Sequence, residues 1–235
     1  ATVSYNAGNN TATLLPNVAL AETNAYTAKV FGGTSGVKDT AGNPLALDYT
    51  WQFTTGVDPC SVGGNPIVCE NSKLGNPASE WDINGIGDSS IQGFATDISV
   101  NRGQTVRFKI DTPSTNYRLD IYRMGYYGGN GARKVATVEP TAFPVQPACN
   151  NHLATGLIDC GNWSESASWN VPANATSGIY FAKAIREDGT NTGASHIVFI
   201  VRNDASTSDI LFQTADTTWQ AYNNYGGNNL YSGSP

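Results

Sequence analysis

Tyr117-Arg118-Leu119-Asp120-Ile121-Tyr122-Arg123 alternates apolar and polar side chains. Successive side chains of a strand point to opposite faces, so a period of two predicts a strand with one face on a core. Residues 105–110 alternate in the same way, and 177–184 and 194–202 read as later strands of the same body. Turn signals separate these runs, which predicts a β-sandwich over residues 90–204. Helical periodicity of useful length is absent, and no internal repeat stands out.

Beyond the sandwich the pattern changes. Asp209-Ile210-Leu211-Phe212-Gln213 is an apolar run that reads as a buried strand. It leads into Thr217-Thr218-Trp219-Gln220-Ala221-Tyr222-Asn223-Asn224-Tyr225-Gly226-Gly227. Hydroxyl, amide and glycine residues at this density are the content of a ligand-facing loop rather than of a core. A strand running into such a loop is where open α/β sheets place their sites. Residues 205–235 are therefore expected to open an α/β catalytic domain and to carry part of a site.

Residues 1–56 also alternate, with strands expected at 11–15, 25–30 and 50–54. Asp39-Thr40-Ala41-Gly42-Asn43-Pro44 is turn chemistry between two of them. Ala1–Tyr5 reads as the middle of a strand, so the start is expected to be a cleavage point or boundary. Residues 57–89 are rich in Pro and Gly and carry the first two of four cysteines, which reads as a linker. Within it, Asp82-Ile83-Asn84-Gly85-Ile86-Gly87-Asp88 places oxygen ligands at alternate positions and could bind calcium. Its spacing completes no EF-hand loop, and turn chemistry is the favoured reading.

Charged residues make up only 14% of the 235 residues, and the net charge is −6. Without a basic cluster there is no electrostatic footprint for nucleic acid, and no apolar run is long enough for a transmembrane segment. Cysteines 60, 69, 149 and 160 fall in two local pairs in loop-like sequence. Local disulfides are expected, since each closes a short loop at small entropy cost. They place the protein in an oxidising compartment: the medium, the cell surface or the periplasm. Arg123 and Arg133 are expected to pair with Asp120 or Glu139. The loop at 126–131 is expected to turn on its glycines and pack its tyrosines on a neighbouring domain. His196, inside an apolar strand, reads as half-buried and structural.

Two resemblances add to these readings. Val3-Ser4-Tyr5-Asn6, Thr13-Leu14-Leu15-Pro16, Gly36-Val37-Lys38-Asp39-Thr40-Ala41-Gly42-Asn43-Pro44-Leu45 and Trp51-Gln52-Phe53-Thr54-Thr55 resemble the C-terminal half of a bacterial Ig-like domain. From about residue 67 onward the chain resembles the N,N-dimethylformamidase large (β) subunit-like family. Three motifs carry that likeness: Ile91-Gln92-Gly93-Phe94-Ala95-Thr96, the run from Tyr117 through Tyr126-Tyr127-Gly128-Gly129-Asn130-Gly131 to Arg133, and Thr218–Gly227. The second resemblance implies amide hydrolysis at a mononuclear iron held by two tyrosines and a glutamate. Tyr225 matches one tyrosinate ligand, with Asn223 beside it as the polar group of the catalytic site. Tyr180 is the expected second ligand, with Tyr222 behind it, and the family's glutamate segment has no counterpart.

The combined expectation is a mainly β chain: a partial Ig-like sandwich, then a second β-sandwich, ending in the first strand of an α/β catalytic domain. It reads as a fragment of a secreted multidomain protein, inactive by itself and holding no iron firmly. The missing remainder of the parent, or a neighbouring copy, would complete residues 1–56. The competing expectation is a non-catalytic structural or adhesive surface protein that self-assembles by strand complementation.

Overall fold

The alternating stretch at 117–123 becomes a strand buried on both faces. In the computed structural model, which describes residues 1–188, 193–227 and 229–231, every residue from Leu119 to Arg123 is buried. The chain divides into two compact units, Ala1–Asn65 and Pro66–Pro235.

The first unit holds two separate antiparallel ladders. β1 (Thr2–Asn6) pairs with β2 (Thr11–Leu15), and β3 (Ala25–Val30) with β4 (Tyr49–Thr54). Tyr26 and Phe53 lie opposite each other in register and stack at 5.9 Å, a cross-strand aromatic pair of the kind that stabilises a ladder. The expected turn forms. Asp39 Oδ1 accepts from the backbone N–H groups of Ala41 and Asn43, and the Asn43 side chain and backbone hold the Asp39 carboxyl below its usual range. Two-stranded ladders build no core of their own, and Val3, Tyr5, Leu14, Leu15, Trp51 and Phe53 are all exposed.

The second unit starts with α1 (Pro66–Ser72) and α2 (Ala78–Trp81), followed by the sandwich strands β5 (Gln92–Ala95), β6 (Ser99–Asn101), β7 (Thr105–Asp111), β8 (Tyr117–Met124) and β9 (Ala132–Val138). A hairpin of β10 (Asn150–His152) and β11 (Leu157–Asp159) comes next, then β12 (Ala167–Asn170), β13 (Gly178–Arg186), β14 (Ala194–Arg202) and α3 (Asp216–Tyr222). One sheet runs β12-β7-β5 and the other β6-β14-β13-β8-β9. All pairings are antiparallel except β14 with β6. Period-two alternation turns Val106, Phe108 and Ile110 of β7 inward against Ile197, Phe199 and Val201 of β14. Phe108 meets Phe199 edge-on at 5.7 Å, and burying each such side chain stabilises by about 1.5–3 kcal/mol.

Part of the expected linker covers the outer face of the five-stranded sheet around Tyr122 and Phe181. Trp81 packs on Phe181 at 6.2 Å, and Phe181 stacks on Tyr122 at 5.3 Å. Lys183 Nζ donates to the Glu80 and Asp82 carbonyls at 2.9 and 3.0 Å, and His196 Nε2 lies 2.7 Å from the Trp81 carbonyl. Asp82 and Asp88 serve turns, accepting from the backbone N–H groups of Ile83 and Ser90.

One expected element is corrected. Residues 209–213 form no strand, and Ile210, Leu211 and Phe212 are exposed. A strand exists only with a ladder partner, and no described residue pairs with this run. Among the described residues no helix is long and apolar enough to cross a membrane.

Candidate functional site

A cavity of about 620 Å³ opens on the second unit, between β5, the β10–β11 hairpin and the loop after α3. Each wall has a local cause. In β5, Gly93 is the residue that fits: a Cβ there would lie 2.6 Å from the Lys109 carbonyl oxygen and 3.1 Å from Ile197. Flanking it, Gln92 and Phe94 line the cavity. The hairpin is held by a disulfide between Cys149 and Cys160, which closes a separation of 11 residues. Cys60 and Cys69 are also disulfide-bonded.

Just beyond the disulfide, Trp163 donates its indole N–H to the Pro147 carbonyl at 2.9 Å. Gln146 fixes the same stretch: its amide donates to the Ile110 and Ser164 carbonyls and accepts from the Ser164 N–H. The Trp163 ring lies 5.8 Å from Phe94 and 6.3 Å from Tyr225, so the three aromatics form a continuous row.

The third wall is the polar aromatic loop. α3 buries Ala221 and brings Gln220, Asn223 and Tyr225 to the cavity. Asn223 Oδ1 accepts from the Tyr225 N–H at 3.1 Å, an Asx turn that sets the direction of the loop. Gly226 follows at φ +84°, seated on Ile158 of β11. Burial, then the Asp111 charge, raises the Tyr225 phenol above its usual range. Burial lowers His196, and because the Trp81 carbonyl can only accept, Nε2 carries the proton of a neutral ring.

The structure brings Asn223 and Tyr225 to one cavity and places Tyr180 elsewhere. Tyr180 is 2% exposed, on the inward face of β13 between Trp169 and Phe199. Its hydroxyl donates to the Thr176 carbonyl at 2.6 Å, and burial pushes its pKa up. A phenol that gives its proton to a carbonyl does not fit the role of an anionic metal ligand. Tyr222, the second choice, is exposed and stacks on Tyr231 at 4.7 Å. Among the described residues no three His, Cys, Asp or Glu side chains come together in a metal-binding group.

A second cluster lies under the glycine-rich loop at 125–131. Glu70 of α1, 3% exposed, accepts from Arg133 at 2.8 Å, from the Tyr127 hydroxyl at 3.0 Å and from Lys73 at 2.7 Å. Arg123 Nη1 donates to the same Tyr127 hydroxyl at 3.1 Å, and its Nη2 to the Ser177 carbonyl at 3.0 Å. This corrects three expectations. Arg133 pairs with Glu70, Arg123 bonds carbonyls and a phenol, and Tyr127 packs inward within its own unit. Tyr127 holds φ +44°, a strained value for a tyrosine that the surrounding bonds maintain. Glu70 left no mark in the sequence. Trp163 and Gln92 could have been suspected, the first from its place beside Cys160 and the second from its motif.

No curated protein matches the chain. Domain 1 of VCBP3 from Branchiostoma floridae overlaps with a TM-score of 0.30 at 11% identity, covering 52% of this chain and all of that one. That score is too low to argue from. Residues 1–55 match the family model of the bacterial Ig-like domain. Residues 118–235 match that of the N,N-dimethylformamidase beta subunit-like C-terminal region, and with half its length so matched the chain belongs to the N,N-dimethylformamidase beta subunit-like family.

Proposed function

We propose that this chain is the recognition part of a secreted, multidomain amide hydrolase. The observation that supports it is the meeting of Asn223 and Tyr225 with Gln220, Gln92 and Trp163 on one cavity. Carboxamides beside an aromatic wall offer paired donors and acceptors to an amide group while keeping water off one side. The arrangement in this reading is an Ig-like half over 1–56, a disulfide-bearing connection over 57–89, the sandwich over 90–204 and the start of a catalytic domain over 205–235. Disulfides and an Ig-like segment are compatible with an extracellular place. Iron belongs to the full-length parent in this proposal, with Tyr225 as the ligand candidate that this chain exposes.

The test compares this chain with its full-length parent. The chain alone is expected to turn over no formamide and to bind no stoichiometric iron, while the parent does both. Tyr225→Phe in the parent is expected to lower iron content and the tyrosinate-to-iron colour. A parent whose iron, colour and turnover survive that substitution would remove Tyr225 from the site.

A second reading rests on a different observation. The first unit exposes apolar residues on both ladders, which suits a structural or adhesive protein completed by strands from the remainder of its parent or from a neighbouring copy.

A further inference from the structure

We propose that the cavity beside the disulfide-held hairpin binds a neutral saccharide. The inference rests on the cavity alone and goes beyond amide hydrolysis.

Charge comes first. No Lys or Arg lines the cavity among the described residues. The lining carboxylate, Asp159, already accepts from the Gly161 N–H at 2.8 Å. Lys109, paired in the ladder with Phe94, donates its ammonium to the Gly161 carbonyl at 2.8 Å. His196 holds its Nε2 proton on the Trp81 carbonyl. An anionic ligand would meet the Asp159 carboxylate and no lining cation, and burying an unpaired charge is costly.

Hydrogen-bonding groups come second. The side-chain amides of Gln92 and Gln220 make no hydrogen bond to any described residue, and Asn223 uses only its oxygen, on the Tyr225 N–H. Each free carboxamide presents a donor and an acceptor close together. Neighbouring hydroxyls of a sugar ring need that pairing, because each hydroxyl both donates and accepts.

The aromatic row supplies the third element. Phe94 and Tyr225 flank the buried Trp163 along one wall, and Tyr225 is 40% exposed. The negative face of an aromatic ring suits the polarised C–H groups on the flat side of a pyranose. At about 620 Å³ the space lies inside the usual range for an organic ligand and far exceeds a single formamide. The walls are preformed by the disulfide, the Gln146 bonds and the Gly226 seat, which reduces the ordering cost of binding.

The experiment titrates the whole chain with cellotriose, maltotriose and triacetylchitotriose, following heat and tryptophan fluorescence. At least one trisaccharide is expected to bind with Kd of about 1 mM or tighter. Gln220→Ala and Tyr225→Ala, both at exposed positions, should each weaken it roughly tenfold while the thermal unfolding temperature stays unchanged. Saturation by none of the three at about 10 mM would overturn the proposal. So would binding that both substitutions leave intact, or equally tight binding of a uronic-acid trisaccharide. None of these readouts depends on iron or amide turnover, so the saccharide site and the amide-hydrolase reading can fail separately.

Discussion

Gly226 rests on Ile158 so closely that a Cβ on the glycine would lie 2.4 Å from Ile158 Cγ1. The same residue holds φ +84°, where an L side chain costs roughly 1–2 kcal/mol. Gly226→Ala therefore cannot keep the seat. The loop should lift from β11 and carry Tyr225 away from Trp163. Amide hydrogen exchange at 223–227 is expected to rise at least tenfold, with little change in the sandwich strands. Unchanged protection there would show that the loop does not depend on this contact.

The Cys149–Cys160 disulfide holds the other side of that seat. Cross-linking a loop of about 15 residues is worth on the order of 3 kcal/mol, mostly by restricting the unfolded chain. Replacing both cysteines by Ala should destabilise the second unit by about 2–3 kcal/mol. It should also loosen the hairpin that supports Gly226. Denaturant unfolding checks the first effect, and tryptophan fluorescence of the Trp163 region the second.

Much of the sandwich was legible because alternation reports burial directly. Val106, Phe108 and Ile110 in β7, and Ile197, Phe199 and Val201 in β14, are inward where period two placed them. The cover on Asp120, Tyr122 and Arg123 was not legible. α1 and α2 span seven and four residues, too short for a 3.6-residue period to show against the Pro and Gly around them. Tyr180 misled for the opposite reason. The resemblance offered it as a second ligand, while its register with Ala182 and Ala184 on one face of β13 put it in the core. The apolar run at 209–213 carried strand propensity, but pairing is decided by a partner that propensity does not reveal. The loop residues Asn223 and Tyr225 were readable from composition. Their companions Gln92 and Trp163 lie 131 and 60 or more residues away in sequence, and only the fold brings them together.

Glu70 makes an acid-sensitive joint between α1 and the sandwich. Burial alone would raise its carboxyl, but hydrogen bonds from Lys73, Arg133 and Tyr127 together hold it below its usual value. A carboxyl lowered by folding adds stability above its unfolded pKa, and that contribution is lost as pH falls through the folded value. The second unit should therefore weaken below about pH 4, near the ordinary carboxylate range. Glu70→Gln leaves Arg133 without its anion and should cost about 3 kcal/mol at neutral pH. It should also flatten that acid limb. Urea midpoints measured from pH 3 to 7 on both proteins check this; parallel curves would show that another group sets the acid limb.

The first unit carries Val3, Tyr5, Leu14, Trp51 and Phe53 on open ladders, with Trp51 44% and Phe53 42% exposed. Covering one such side chain is worth roughly 1.5–3 kcal/mol, and an open strand edge is a template for another chain. If these ladders meet one another between copies, association should grow with concentration and weaken when the face is made polar. The whole chain is expected to show a rising weight-average mass by light scattering between about 5 and 500 µM, the range over which modest contacts saturate. Trp51→Ser with Phe53→Ser should shift that rise at least tenfold upward in concentration and reduce binding of an apolar dye. The variant also removes the Tyr26–Phe53 stack, so circular dichroism is used to check that the strand content is kept. A monomer at every concentration, with residues 1–56 protected from protease, would rule out completion by a second copy.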